Sequence, residues 1–250
     1  MKALLFLPLL ALLADAAEIR EEAVRHANAD FRVVRIEPDD LKVAWKDKTG
    51  EIFGTFDKVQ EDFSKKGKTV RFLMNGGIFE PGCIPSGLLA QDWKIVLPLN
   101  PKDGKGNFFL KPNGVVSMWI GAHGGPEIST LEGWTERYEL SRRTRDLRAP
   151  NFAVQSGPLL LIGGKRHPSF KEGSESRLHR NGIGIDADGK FVCAITVWGQ
   201  EVNFWDFAGL FLHLGCKDAL FLDGDISQMA VNPQKPVVSN RFASIFVVAD

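Results

Sequence analysis

The sequence contains few cysteines and none of the usual zinc-binding patterns. Cys83, Cys193 and Cys216 are too few for a disulfide scaffold. In an exported protein one pair could form a disulfide, and the sequence leaves open which pair that is, or whether all three thiols stay free. Neither C-x-x-C nor H-E-x-x-H occurs, so no common zinc site is indicated. We expect no metal or cofactor.

The sequence also lacks an excess of charge and a long apolar run. Its 31 basic and 31 acidic residues cancel, whereas a nucleic-acid-binding protein carries a basic face. No stretch reaches the about twenty apolar residues that a membrane-spanning helix needs. Nothing in the sequence indicates an obligate protein partner. We therefore expect neither binding to nucleic acid nor a membrane-spanning segment.

The N-terminus has the pattern of a secretory signal peptide. Lys2 provides a basic start, residues 4–13 are apolar, and Ala14-Asp15-Ala16 matches an A-x-A cleavage site. The apolar run is too short to cross a bilayer. We expect residues 1–16 to be removed, and residues 17–250 to fold as one domain in the periplasm or outside the cell.

The rest of the chain shows short apolar strands and few helices. Helices are predicted over residues 56–66, 132–148 and 204–214, the second of them solvated, with a basic cluster at Arg142, Arg143, Arg145 and Arg148. Strands are predicted over residues 31–36, 41–45, 69–74, 108–110, 115–120, 152–162, 183–197, 219–222 and 244–248. Residues 108–110 and 115–120 are predicted to form a hairpin, and 183–197 to fold back at Asp188-Gly189. This pattern indicates an α+β domain with a mixed, antiparallel-rich sheet and a few packed helices.

Four polar clusters border the apolar strands, where a rigid scaffold commonly presents functional groups. The first is Asn75-Gly76-Gly77. Glycines at this place let the backbone approach a ligand closely, so that amides could point at an anion. An ordinary tight turn is the alternative.

The second cluster is Gln155-Ser156-Gly157, an uncharged polar break within an apolar stretch. Ser156 is not the nucleophile of a G-x-S-x-G elbow, because Val154 stands where that motif needs glycine. The alternative to a binding role is a bulge whose side chains are hydrogen-bonded internally.

The third cluster contains Arg177, His179, Arg180 and Asn181, just before an apolar strand. Two arginines at this place could hold a phosphate or carboxylate, because a guanidinium binds such groups with two parallel hydrogen bonds. Surface salt bridges are the alternative. His179 is more typical of a surface residue than of a base.

The fourth cluster runs from Asp223 through Gly224 and Asp225 to Ser227. If the segment is extended, Asp223, Asp225 and Ser227 project to one side. Two acids so close cannot both ionise freely, so the pKa of one should rise, as acid–base chemistry requires. The same oxygens could instead bind calcium, although glutamines occupy positions six and twelve and exclude an EF-hand. An Asx-turn is the purely structural alternative.

Taken in order, these clusters resemble the motifs of the phosphodiester glycosidase family. The matching stretches are residues 74–79, 155–159, 180–184 and 214–224, of which the last is the most specific. The resemblance runs from about residue 31 to the C-terminus and is closest to the small exported bacterial branch, through residues 106–109, 176–177 and 203–208. The family includes the enzyme that uncovers mannose 6-phosphate on lysosomal hydrolases. In that enzyme and many relatives glycine stands where this chain has Asp225, so no role for Asp225 is inherited.

The resemblance implies a hydrolase that cleaves the glycosidic bond of a sugar-1-phosphodiester, either a small molecule or a glycan. Asp223 would act as base or nucleophile at the anomeric carbon, and Arg180, with Arg177, would hold the phosphate leaving group. Asn75 and Ser156 would orient oxygens of the substrate. The remaining substrate-binding candidates are Gly76, Gly77, Gln155, Gly157, Asn181, Gly224, Asp225 and Ser227.

Two other functions remain open from the sequence. One is a non-catalytic binder of cell-envelope glycans or exopolysaccharide, built on the same pocket. The other is a metal-dependent phosphodiesterase in which Asp223 and Asp225 are the ligands.

Overall fold

The computed structural model describes residues 18–144 and 150–250. The expected signal peptide, residues 1–16, lies outside the described residues, as do Arg145 and Arg148 of the expected basic cluster. All structural statements below refer to the two described ranges.

Within the described residues three α-helices overlap the predicted ones: α1 (Phe56–Lys65), α2 (Leu131–Arg143) and α3 (Phe204–His213). Residues 145–148 of the second predicted helix lie outside the described residues. The side chain of Thr130 accepts a hydrogen bond from the amide of Gly133 at the start of α2. Asn203 does the same for the amide of Asp206 at the start of α3, at 2.8 Å. Both residue types cap helices because their oxygens satisfy amides that have no partner inside the helix.

The described ranges contain eighteen strands, most of which belong to antiparallel hairpins. In chain order they are β1 (Glu21–His26), β2 (Ala29–Ile36), β3 (Lys42–Ala44), β4 (Val70–Asn75), β5 (Phe79–Glu80), β6 (Ile84–Pro85), β7 (Leu89–Gln91), β8 (Lys94–Leu97), β9 (Gly114–Trp119), β10 (Gly125–Thr130), β11 (Phe152–Ser156), β12 (Leu159–Ile162), β13 (Lys165–Arg166), β14 (Asn181–Ile185), β15 (Phe191–Thr196), β16 (Asp218–Asp223), β17 (Met229–Val231) and β18 (Ile245–Ala249).

The strands form three larger sheets and one short pair, β5-β6. The spatial orders are β1-β2-β15-β14-β16-β12-β13, β10-β9-β11-β7-β8 and β17-β4-β18-β3. Every pairing between these strands is antiparallel. The expected α+β class with an antiparallel-rich sheet is therefore confirmed, and so is the fold-back between β14 and β15.

The main core gathers apolar side chains from the inner faces of all three sheets. Val34 and Ile183 come from the seven-stranded sheet, Phe152 from the five-stranded sheet, and Phe72 and Phe246 from the four-stranded sheet. Because successive side chains of a strand point to opposite faces, each sheet also has an apolar outer face that needs a cover.

Each helix covers one of these outer faces. Phe207 and Phe211 of α3 pack on the seven-stranded sheet, and Phe56 of α1 packs on the four-stranded sheet. Trp134 of α2 packs on Trp119 of the five-stranded sheet, with ring centroids 6.3 Å apart. The predicted solvated helix thus keeps one buried stripe.

The structure settles two further expectations, a strand at residues 108–110 and the state of the cysteines. The prediction of a strand at 108–110 is wrong: the amides of Phe109 and Leu110 donate back to Gly106 and Asn107, which makes a short 3₁₀ turn. β9 pairs instead with β10 and β11. All three cysteines are free and buried, so of the open possibilities the one without a disulfide holds here.

The chain passes from the seven-stranded sheet to the four-stranded sheet twice, between β2 and β3 and again between β16 and β17. β16 ends at Asp223, and β17 begins at Met229, which pairs with Met74 of β4. We call residues 223–228 the acidic loop. It brings the ends of β14, β16 and β4 together, which places the third and fourth polar clusters beside the first.

Candidate active site

Two buried asparagines hold the two ends of the acidic loop. The side-chain oxygen of Asn181 accepts the amide of Asp223 at 2.7 Å. The oxygen of Asn75 accepts the amide of Gln228 at 2.9 Å, and its Nδ2 donates to Oγ of Ser227 at 3.3 Å. Because a buried amide must satisfy its donors and acceptors within the protein, these bonds fix the loop to two sheets at once.

The acidic loop is a turn, so the condition of an extended segment, on which a shared face for Asp223, Asp225 and Ser227 depended, is not met. The amide of Ser227 donates to the carbonyl of Gly224 at 2.8 Å, which folds the loop back. Asp223 is half-buried, Asp225 is exposed and Ser227 is buried, so the three side chains do not share one face. The amide of Gly224 donates to the Asp223 carboxylate at 2.8 Å, a local bond that competes with extended pairing.

The pKa of Asp223 is raised to about 6, and burial is the largest cause. The amide of Gly224 lowers this pKa, and the negative charge of Asp225 raises it further. The sequence predicts a raised pKa from the neighbouring acid, but the loss of water around the carboxyl matters more than that charge. A carboxyl with a pKa near 6 suits proton transfer or nucleophilic attack near neutral pH.

Arg180 is a buried cation with one unused nitrogen. Its guanidinium lies 3.7 Å from the ring centroid of Phe204, with Nε donating to the carbonyl of Val202 at 2.7 Å and Nη2 to that of Ser176 at 3.2 Å. Nη1 is buried and has no hydrogen-bond partner among the described residues. Burial lowers the pKa of Arg180 to about 10, so the group stays cationic at neutral pH. A buried cationic donor without a partner favours an anion.

Asp223 and Arg180 are close to the same loop but are not an ion pair. An adjacent guanidinium would lower the pKa of a carboxyl, whereas the pKa of Asp223 is raised. The charge that acts on both groups is that of Asp225, which raises the pKa of each. The carboxyl and the guanidinium therefore do not neutralise each other.

Arg177 lies apart from this arrangement. Its Nη1 forms an ion pair with Asp206 of α3 at 3.2 Å, and its Nη2 donates to the carbonyl of Glu201 at 2.9 Å. These contacts anchor residue 177 on the start of α3. The structure does not bring Arg177 to the acidic loop.

Gly76 and Gly77 lie at the end of β4, where other residues approach very closely. The amide of Gly76 already donates to the carbonyl of Ser244 at 2.8 Å, so it is not free to bind an anion. A Cβ on Gly77 would come within 2.8 Å of the carbonyl oxygen of Gln155 and 2.9 Å of Cβ of Ser156. The second glycine therefore permits the close contact between the first and second polar clusters.

The second polar cluster contacts the end of β16, directly before Asp223. Oγ of Ser156 donates to the carbonyl of Leu222 at 2.9 Å, directly before Asp223. Gln155 is buried, and its side-chain oxygen accepts amides from Leu88 and Asn100, each at 2.9 Å. At Gly157 a Cβ would lie 2.5 Å from Cβ of Asn113. The alternative of internal hydrogen bonding thus applies to Gln155, whereas the Ser156 hydroxyl binds the end of β16.

The sequence interpretation missed His179, which is buried rather than on the surface. Its Nε2 donates to the carbonyl of Ser227 at 3.1 Å, and its Nδ1 lies 2.7 Å from Oγ1 of Thr196. Since a carbonyl can only accept, the ring carries its proton on Nε2 and accepts the Thr196 hydroxyl at Nδ1. Burial lowers the pKa of His179. His179 therefore joins the acidic loop to β15 in its neutral form.

Phe204 was also missed as a member of the site. Its ring supports the Arg180 guanidinium and meets Phe221 of β16 edge-on, with centroids 4.9 Å apart. The stretch of residues 203–208, which the sequence comparison with the bacterial branch singles out, was the available signal.

Comparison with known proteins identifies the family of this chain. The family model for phosphodiester glycosidases matches residues 68–248, which include β4, the three later polar clusters and α3. The chain belongs to the phosphodiester glycosidase family. This membership supports a glycosidase-type function, as the resemblance implied.

One relative and three solved structures are similar to this phosphodiester glycosidase domain. The uncharacterized protein YigE of Escherichia coli K12 is 31% identical over 228 residues, or 91% of this chain and 82% of YigE. The catalytic domain of zebrafish N-acetylglucosamine-1-phosphodiester alpha-N-acetylglucosaminidase, auto-inhibited by its pro-peptide, matches with a TM-score of 0.65 at 13% identity, over 94% of this chain and 84% of that one.

Two bacterial structures share the fold at similarly low sequence identity. A hypothetical protein from Synechocystis matches with a TM-score of 0.57 at 14% identity, over 94% of this chain and 64% of that one. A protein of Burkholderia pseudomallei K96243 described as exported matches with a TM-score of 0.52 at 12% identity, over 88% and 74%. At these identities the three structures show the common fold alone.

Residues 18–144 and 150–250 contain neither a metal-binding cluster nor a membrane-spanning helix. In these ranges no three His, Cys, Asp or Glu side chains are grouped so that they could hold a metal ion. The same ranges contain no helix with the length and hydropathy needed to span a bilayer.

Proposed function

We propose that the phosphodiester glycosidase domain hydrolyses the bond between a sugar C1 and the phosphate of a sugar-1-phosphodiester. The observation that carries this proposal is the buried Arg180 guanidinium with its unpartnered Nη1. It lies beside a loop that also holds Asp223, whose pKa is about 6. A cation for the phosphate and an ionisable carboxyl for the sugar are the two groups that the reaction needs.

The leaving group determines which of these groups matters most. When the C1–O bond breaks, its electron pair stays on the phosphate oxygen, and a phosphate monoester departs. The second pKa of such a monoester is about 6, so it leaves without a strong general acid. Stabilising its charge is then the main task, and a cation in a water-poor setting is effective for this. Because Arg180 is buried, contact with a phosphate oxygen requires its guanidinium or the turn at Asp225 to shift.

Asp223 acts on the other side of the broken bond. Above pH of about 6 its carboxyl is mostly ionised. As a base it accepts a proton from the water that attacks C1; as a nucleophile it attacks C1 and is released by water in a second step. Both routes give the free sugar and the phosphate monoester. Asn75, Asn181, Ser156 and Ser227 act as positioning residues that hold the loop rather than as groups that touch the reacting atoms.

The zebrafish neighbour supplies a first substrate to test. Its name states that it acts on N-acetylglucosamine-1-phosphodiesters. We therefore choose methyl N-acetylglucosamine-1-phosphate, in the alpha form, as the probe for this chain. The sugar of the natural substrate remains a separate question for a panel of hexose-1-phosphodiesters.

The test follows turnover of this probe in ¹⁸O-water. We expect the label to enter the sugar, with methyl phosphate as the second product. Asp223→Asn should lower kcat at least a thousandfold while the thermal unfolding transition stays cooperative, because the variant keeps the size and one acceptor oxygen of the carboxylate. The exposed Asp188→Asn is the matched control and should keep full activity.

Three results would contradict the proposal. They are a folded and fully active Asp223→Asn protein, label found in the phosphate, and activity that disappears on chelation. Label in the phosphate together with chelator sensitivity would indicate a metal-dependent phosphodiesterase. Tight binding of the probe without turnover would indicate a glycan-binding protein.

We also propose that the chain is exported after removal of residues 1–16. The support is the signal-peptide pattern of the N-terminus and the Burkholderia neighbour that is described as exported. Expression of the full chain in a Gram-negative host should give a periplasmic protein whose first residue is Ala17. A protein that stays in the cytoplasm with its N-terminus intact would overturn this proposal.

A further inference from the structure

Trp198 exposes more of its side chain than any other tryptophan in the chain. It is 80% exposed, compared with 43% for Trp93, while Trp45, Trp119 and Trp134 are buried. It lies in the short turn after β15, in which the amide of Gln200 donates to the carbonyl of Val197 at 2.9 Å. Exposure of an indole to water is unfavourable because most of its surface is apolar.

The exposed indole borders the candidate active site. Its ring meets the His179 ring edge-on, with centroids 5.7 Å apart and an angle of 63° between the planes. His179 in turn donates to the carbonyl of Ser227 in the acidic loop. One side chain therefore separates the indole from the loop that carries Asp223, and the residue after His179 is Arg180.

We propose that Trp198 is a platform on which the sugar ring of the phosphodiester substrate stacks. This inference rests on the proposed function and names the part of the site that binds the sugar. A pyranose ring has an apolar face of C–H groups and a polar rim of hydroxyls. An indole face can cover the C–H face while the hydroxyls stay in water, whereas it offers nothing to a phosphate except one N–H group.

The arrangement of charges supports this division of the substrate. Arg180 supplies the cation for the phosphate, and Trp198 supplies an uncharged surface at the rim. His179 is hydrogen-bonded to Thr196 and Ser227, and its ring contacts the indole ring of Trp198. Trp198 thereby has a defined position without being covered, which is what a binding platform requires.

The test compares two probes that differ only in the sugar. The first is the non-hydrolysable C-glycosyl methylphosphonate of N-acetylglucosamine, and the second is methylphosphonate alone. Dissociation constants are measured by titration calorimetry for the wild type, Trp198→Ala, Trp198→Phe and Trp93→Ala. Trp93 is the matched control, because it is the other well-exposed tryptophan and belongs to the β7-β8 turn of a different sheet.

We expect Trp198→Ala to weaken binding of the sugar phosphonate about tenfold, which corresponds to about 1.4 kcal/mol. Trp198→Phe should retain most of the affinity, and Trp93→Ala should retain all of it. None of the three substitutions should change the affinity for methylphosphonate. Arg180→Met should weaken binding of both probes, because both carry the anion.

Equal affinity of wild type and Trp198→Ala for the sugar phosphonate would overturn the platform. A wild type that binds the two probes equally, or binds neither, would overturn it as well. The proposed function is tested separately by turnover of the phosphodiester. If the wild type turns over the phosphodiester and Trp198→Ala has the same KM, the proposed glycosidase function stands and the platform is wrong. If Trp198 contributes to binding but no turnover occurs, the platform stands and the proposed glycosidase function is wrong.

Discussion

The side chains of Asn75 and Asn181 are hydrogen-bonded to each other, with Nδ2 of Asn181 3.2 Å from Oδ1 of Asn75. One belongs to the four-stranded sheet and the other to the seven-stranded sheet. Each also holds one end of the acidic loop through a backbone amide. The position of Asp223 is therefore determined by the way the two sheets pack, and not by its own strand alone.

Replacement of Asn181 by alanine should destabilise the protein by about 2–3 kcal/mol. The change leaves the buried amide of Asp223 and the carbonyl of Asn75 without the partners they have at 2.7 and 3.0 Å. Urea unfolding at neutral pH measures the loss. Gln234→Ala is the control, because it removes an exposed amide and should change stability by no more than about 0.5 kcal/mol. Equal stability of the two variants would contradict this account of the loop.

The raised pKa of Asp223 should make the protein less stable as the pH rises from 4 to 7. The native carboxyl has a pKa of about 6 and the unfolded one 3.8, so the native state binds more protons in this range. Stability therefore falls with pH through that window, by roughly 1–2 kcal/mol after allowance for the partly exposed carboxyl. Asp223→Asn should lack this loss and be the more stable protein at pH 7.

Denaturant unfolding at pH 4, 5.5 and 7 checks this prediction. Asp188→Asn serves as the control, because it makes the same substitution at an exposed aspartate outside the acidic loop. A wild type and an Asp223→Asn variant whose stabilities change in parallel over this range would show that the carboxyl titrates as in the unfolded chain.

The two arginines of the third polar cluster should differ strongly in their effect on activity. Arg180→Lys should lower kcat/KM about a hundredfold or more, because lysine cannot keep the bonds to Val202 and Ser176 while presenting a further donor. Arg177→Ala should lower it less than tenfold, because its contacts are with Asp206 and Glu201. The loss in Arg180→Lys should shrink for aglycones whose phosphate is a better leaving group. Similar losses for both arginines at every leaving group would contradict the assignment of Arg180.

Two glycines offer an internal comparison of packing. Gly77→Ala should cost about 1–3 kcal/mol, because the new methyl group would lie 2.8 Å from the carbonyl of Gln155. Gly133→Ala should instead stabilise the protein by up to about 1 kcal/mol, because in α2 the new methyl group is no closer than 3.4 Å to its neighbours and alanine favours a helix. Thermal unfolding of both variants is the measurement. An unchanged melting temperature of Gly77→Ala would contradict the close packing of the first polar cluster against the second.

Local patterns in the sequence predicted much of the secondary structure and the four polar clusters. α1 and α3 are each followed two residues later by a glycine, Gly67 and Gly215, and β14 and β15 are joined by a turn with Asp188-Gly189. These features depend on residues only a few positions apart, so they can be predicted from the sequence. The polar residues that interrupt apolar strands were conspicuous for the same reason.

Only the tertiary structure decided what each polar residue does. Gln155 and Ser156 are adjacent, yet their side chains bond to different parts of the chain. Gln155 accepts the amide of Asn100, whereas Ser156 donates to the carbonyl of Leu222, directly before Asp223. His179 is buried because the acidic loop, 48 positions later, covers it. The pKa of Asp223 depends mainly on burial, which arises from sheets that come together across more than a hundred positions. The identities of the site residues are therefore readable in the sequence, whereas their exposure, charge state and partners follow from packing between residues far apart in the chain.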